Sequence, residues 1–225
     1  MLHKKLLPAS IAAALLVGAA SAQAEISANV TMATDYTFRG ISQTGERGAI
    51  QGGFEWSGQS GIYAGLWASN INFGGDASTE MNYYAGFAGE TAGGLGYDIG
   101  IIYLDYENEP ELDYIEYALG FSYMDFSAGV IYANEFGDGG PKYFYYYVGY
   151  DMALTEDFSL GFNLGYSYTD EDDFWEEGED TYWDYGITLG YSAFELDFAL
   201  AFIGTSLNDF DEADNRIVFS ISKDF

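Results

Sequence analysis

Every second position from Phe158 to Tyr168 carries a large apolar or aromatic side chain, and Ser159, Gly161, Asn163, Gly165 and Ser167 fill the gaps. Successive side chains of a β-strand point to opposite faces, so this segment has one greasy face and one small, polar face. The same period of two recurs in twelve segments of roughly ten residues: 26–38, 49–57, 61–70, 80–89, 95–105, 113–123, 126–136, 142–153, 158–168, 181–191, 194–204 and 214–225. No segment carries a convincing 3.6-residue stripe, so the mature chain is expected to hold almost no helix.

Two architectures share this pattern. In a secreted β-sandwich the greasy face turns inward; in a transmembrane barrel it turns outward to lipid and the other face lines a lumen. Three observations favour the barrel. The minor face is mostly Gly, Ser, Ala, Asn, Thr and acids, whereas a sandwich shows water Lys, Glu and Thr. Aromatic residues collect near segment ends (Tyr36, Trp56, Tyr103, Tyr123, Tyr166, Tyr168, Trp183, Tyr191), as interfacial girdles do. Short turns near 58–60, 90–94, 124–125, 155–157 and 192–193 alternate with longer polar loops near 39–48, 71–79, 106–112, 137–141, 169–180 and 205–213. Bacterial barrels are organised in this way, and Pro110 and Pro141 both fall in the long class. The expectation is an all-β, up-and-down antiparallel transmembrane barrel of about twelve strands over residues 25–225.

Ahead of it, His3, Lys4 and Lys5 precede an apolar run from Leu6 to Ala20 and an Ala22-Gln23-Ala24 motif. That order predicts a signal peptide, residues 1–24, cleaved to leave Glu25 first. At the other end the series Ile217, Phe219, Ile221, Phe225 finishes on an aromatic residue, with Lys223 interrupting it. Phe225 is therefore the expected targeting signal for the barrel-assembly machinery, and the bacterial outer membrane and its lipid the expected setting.

Charge and composition exclude several activities. Beyond the signal, Arg39, Arg47, Lys142, Arg216 and Lys223 stand against all 36 acidic residues. Nucleic acid needs a basic footprint and is not an expected partner. There is no Cys, and the single histidine is His3. Ser-His-Asp and Cys-His catalysis and ordinary zinc sites are thereby removed, so no enzyme activity and no cofactor are expected.

The alternation also predicts which charges face the lumen: Asp35, Glu55, Asp98, Glu116, Glu135, Asp184, Glu195 and Asp197, with Arg216 on the same face and Arg39 continuing the first strand. Bases are too few to pair these acids, and an unpaired carboxylate requires water, so a wet, acidic lumen is expected. Rings of Asp and Glu favour cations. A second acidic group, Asp170, Asp172, Asp173, Glu176 and Glu177, surrounds Phe174 and Trp175. Carboxylates of this kind suit Ca²⁺ or Mg²⁺, or form a solvated loop; their spacing matches no EF-hand.

The stretch Asp35-Tyr-Thr-Phe-Arg-Gly-Ile-Ser-Gln-Thr44, with Ala49-Ile-Gln-Gly-Gly-Phe54, Gly61-Ile-Tyr-Ala-Gly-Leu-Trp-Ala-Ser-Asn70 and the final Arg216–Phe225, resembles the TorF family of porins. The resemblance extends over the mature chain and is most specific in its N-terminal block. It implies a channel-forming outer-membrane barrel and supplies no catalytic residues. The expected function is passive diffusion of small polar or cationic solutes. A non-conducting structural or adhesive barrel with acidic surface loops is the alternative.

Overall fold

The computed structural model describes residues 24–208 and 210–225, so residues 1–23 of the expected signal peptide lie outside the described residues. Fourteen strands follow one another: β1 (Glu25–Ala33), β2 (Thr37–Phe38), β3 (Ile41–Ser42), β4 (Ala49–Ser57), β5 (Ile62–Asn70), β6 (Thr79–Glu90), β7 (Gly96–Tyr106), β8 (Tyr114–Tyr123), β9 (Phe126–Ala133), β10 (Tyr143–Ala153), β11 (Phe158–Thr169), β12 (Thr181–Ala193), β13 (Leu196–Thr205) and β14 (Arg216–Asp224). The only helical pieces among the described residues are single 3₁₀ turns at Pro110–Leu112 and Asp211–Ala213.

Twelve strands close into one antiparallel barrel, and β2 and β3 form a separate hairpin inside the first long loop. Each strand pairs with its neighbours in sequence, and β1 pairs with β14 to close the ring. Closure leaves no unpaired edge, which a chain this apolar on its outside requires. Glu25, Phe225 and the five short turns lie at one end of the barrel. The six long connections, among them 34–48, 134–142 and 170–180, lie at the other.

Register fixes the faces. Ile99, Ile101, Leu119, Val148, Leu164, Ile187, Leu200 and Phe219 are exposed on the outside of their strands. Rings flank this belt at both ends. Tyr166 meets Trp183 at 4.7 Å and Tyr132 meets Phe144 at 4.8 Å toward the long loops. Phe158 meets Tyr191 at 4.7 Å and Phe126 meets Tyr150 at 4.6 Å toward the short turns. An outward apolar belt between two aromatic girdles is the surface that lipid selects.

Several expectations are corrected. The first strand ends at Ala33, five residues short of the expected 38, because the chain bends inward there. Tyr36 is consequently buried and not part of a girdle. The strand expected over 126–136 ends at Ala133, which leaves Glu135 exposed in the loop 134–142. The turn expected at 192–193 is Phe194–Glu195, both left-handed with φ of 58° and 59°. Glu195 therefore stands outside the lumen, where its carboxylate meets Lys223 Nζ at 3.2 Å.

Candidate functional site

The inner face divides along the barrel. Toward the long loops it is packed: Leu104, Tyr106, Tyr114, Tyr143, Tyr145, Tyr182 and Val218 are buried there. These large inward residues were not anticipated from a minor face read as small and polar. Toward the short turns most inward residues are small or acidic, with Tyr63 and Asp98 buried against each other, and Asn163, flanked by Gly161 and Gly165, is open.

The packed half is built around the first long loop. Between Phe38 and Ile41 the chain turns in two residues, Arg39 and Gly40, with φ of 51° and 85°. Positive φ at both positions is the primed hairpin geometry, which Gly adopts freely and Arg does not. A Cβ on Gly40 would strike Thr205 and Asp184, so the tip sits hard against the wall formed by β12 and β13. The Tyr182 hydroxyl donates to the Arg39 carbonyl oxygen at 3.1 Å.

From this tip the Arg39 side chain, 4% exposed, crosses to β8. Its Nη2 donates to both carboxylate oxygens of Glu116, at 2.7 and 2.9 Å. Three rings surround the guanidinium: Phe38 at 4.3 Å, Tyr145 at 4.5 Å and Tyr143 at 4.7 Å from the guanidinium carbon to the ring centroids. Cation–π contacts of this kind gain strength when desolvated. Burial opposes the charge, but Glu116 together with Tyr143, Tyr114 and Tyr145 outweighs it, and the guanidinium is held well above its ordinary pKa. Nη1 meets no acceptor at hydrogen-bonding geometry.

The same loop is anchored on the opposite side. Asp35 accepts hydrogen bonds from the hydroxyls of Ser42 and Thr44, each at 2.7 Å, and pairs with Arg216 Nη1 of β14 at 2.9 Å. In ring order β8 and β14 are six strands apart in a ring of twelve, so they face each other across the lumen. Tyr36 adds a third tie, its hydroxyl donating to Glu80 of β6 at 3.3 Å. The loop therefore spans the barrel interior from wall to wall. A second loop covers it: Trp175 lies edge-on to Tyr182 at 4.7 Å and to Tyr143 at 6.1 Å.

Each residue expected at the lumen can now be placed. Asp35, Glu116 and Arg216 are structural members of the loop anchorage, and Arg39 joins them. Asp184 is buried on β12 and accepts from the Tyr145 hydroxyl at 3.2 Å. Asp98 is inward and buried on β7, where the Tyr63 hydroxyl covers it at 2.8 Å. Glu55 on β4 and Asp197 on β13 face inward and are partly exposed near the short turns. Asp151 on β10 joins these two by the same alternation, and sequence reading passed over it. Among the described residues none of Glu55, Asp151 and Asp197 has an ion-pair partner. Glu55 and Asp151 stand on strands six apart in the ring, hence on opposite walls.

The acidic loop does not gather into a cation site. Asp170 binds the Lys142 backbone N–H at 2.7 Å, Asp173 caps Gly178, and Glu176 accepts from the Asn208 N–H at 2.6 Å, while Asp172 and Glu177 are exposed. No three His, Cys, Asp or Glu side chains among the described residues are placed to hold a metal ion.

Solved structures share this fold. The KdgM porin is similar with a TM-score of 0.58 at 9% identity, covering 88% of this chain and 99% of that one. A KdgM porin in complex with disordered oligogalacturonate gives a TM-score of 0.56 at 10% identity, covering 89% of this chain and 98% of that one. The NanC porin gives 0.54 at 10% identity, covering 88% and 98%. No curated protein sequence matches. A family model described as a bacterial protein of unknown function (Gcw_chp) matches residues 17–225.

Proposed function

This chain belongs to the Gcw_chp family of bacterial proteins of unknown function, and from the barrel it forms we propose that it is an outer-membrane channel for small polar or cationic solutes. The outward belt and its two girdles support the membrane setting. The likeness of the fold to the KdgM and NanC porins, and of residues 35–70 to the TorF family, points the same way. A short aliphatic cation or a neutral polar solute fits a twelve-stranded barrel, narrower than the sixteen-stranded porins.

The observation that carries the cation preference is the trio Glu55, Asp151 and Asp197. These carboxylates face the open half of the lumen without a basic partner, and unpaired acids near a pore attract cations. A sugar acid such as the oligogalacturonate of the KdgM complex would meet like charge here, so that ligand is not carried over.

The test is electrical. Refolded protein in planar bilayers should conduct and give a reversal potential of cation sign under a KCl gradient. The triple variant Glu55→Gln, Asp151→Asn, Asp197→Asn should move that potential toward zero with conductance retained. An anion-sign potential in the native protein would overturn the reading. The packed half of the interior favours a second reading, a non-conducting structural barrel, and absence of any current from the native protein and from a variant with the first long loop loosened, such as Arg39→Ala, would decide for it.

A further inference from the structure

The pocket around Arg39 holds the parts that recognise a free guanidinium group: a buried carboxylate and flanking aromatic rings. Glu116 comes from β8 and Tyr143 and Tyr145 from β10, so the wall supplies the pocket and the loop supplies its occupant. Three features mark that occupant as a tethered one. Arg39 is on a loop, not a strand. Its backbone is left-handed, which disfavours a bulky residue and is a common mark of functional strain. One nitrogen alone, Nη2, reaches the carboxylate, so the two-nitrogen fork that Arg makes with carboxylates is not formed and Nη1 goes unused.

We propose that Glu116, Tyr143 and Tyr145 form a guanidinium-binding site in the packed half of the lumen, and that Arg39 occupies it as a built-in plug. A solute bearing a guanidinium group is the ligand class that competes for it. Such a solute is free of the hairpin backbone, so it can present both nitrogens to Glu116 and release the loop. Once the Arg39 side chain leaves, the loop is still held by Asp35 with Arg216, by Tyr36 with Glu80 and by the Tyr182 hydroxyl on the Arg39 carbonyl oxygen, none of which closes the vacated pocket. The permeation part of this proposal rests on the channel reading above; the binding part does not.

Chemical rescue tests it, with methylguanidinium as the probe and methylammonium as a control of the same charge. The proteins are the native chain, Arg39→Ala and the double variant Arg39→Ala, Glu116→Gln. In bilayers Arg39→Ala should conduct more than the native chain. Methylguanidinium should block that current at about a tenfold lower concentration than methylammonium, the ratio expected from one extra charge-assisted contact. In detergent it should also raise the unfolding temperature of Arg39→Ala. Both responses should vanish in the double variant. Equal potency of the two cations, or responses that persist without Glu116, would overturn the site. Should neither the native chain nor Arg39→Ala conduct, the channel reading falls, and the thermal rescue still decides whether the site exists. Arg39→Met, which keeps most of the apolar stem and vacates the charged pocket, replaces Arg39→Ala in every arm if the alanine chain does not refold.

Discussion

Asp35 shows how a charge is held in the interior of this chain. Two hydroxyls and one guanidinium satisfy it, and the ion pair with Arg216 is nearly shielded from solvent. Removing one partner of a buried pair leaves the other charge exposed to a poor environment, at about 3–5 kcal/mol. Ser42 and Thr44 stay in place, so Arg216→Met should cost about 3 kcal/mol, the lower end of that range. The contrasting pair, Lys142 with Asp170 at 3.4 Å, is exposed at both ends, and Lys142→Met should change stability by less than about 1 kcal/mol. Urea unfolding from vesicles measures both. Such roles were only partly readable in advance. Alternation puts Asp98, Glu116 and Asp184 on the inner face, because each sits between outward apolar or aromatic neighbours. It could not say that Glu116 would be neutralised by Arg39, since the partner comes from a loop 77 residues away. Neutralising Glu116 would accordingly loosen the loop before it altered any lumen charge.

Elements were readable wherever large and small residues alternate. β11 does so throughout and β12 from Trp183 onward, and both lie where the pattern put them. The run Tyr143-Phe-Tyr-Tyr-Tyr147 has no such contrast within itself; the phase is set by Val148-Gly-Tyr-Asp-Met152, and register agrees in putting Tyr143, Tyr145 and Tyr147 inside. The turn Phe194–Glu195 was missed for a different reason: primed two-residue turns ordinarily carry Asn or Gly, and neither is present. Inside the wall, small residues serve the rings beside them. Gly65 on β5 pairs with Tyr84 on β6, and Gly86 on β6 pairs with Tyr63 on β5, each ring lying over the facing glycine. A side chain on Gly65 would overlap the Tyr84 ring and the Phe54 carbonyl oxygen. Gly65→Val should therefore cost about 1–3 kcal/mol, the range for forced overpacking. Tyr84→Ala in the same background should recover part of the loss, which a double-mutant cycle in urea would measure.

At the scale of the whole molecule, the outside is the most constrained surface. Val148 lies mid-strand and is 52% exposed, a position that suits an apolar solvent and no other. If that solvent is a bilayer, Val148→Arg should cost about 2–4 kcal/mol of folding free energy in vesicles. Leu154→Arg, in a short turn, should cost about 0–1 kcal/mol, the value near an interface. Equal costs at the two depths would count against a spanning barrel. The seam that closes this surface is its thinnest join. β1 and β14 are matched over five residue pairs, against eleven for β10 with β11. Arg216 opens β14 and Asp35 follows β1, so the ion pair that ties down the first loop also bridges the top of that seam. Wall and contents are thus fastened by one knot. Any event that frees the loop at its rim also slackens the join between first and last strands, and an emptied interior comes with a wall easier to part sideways.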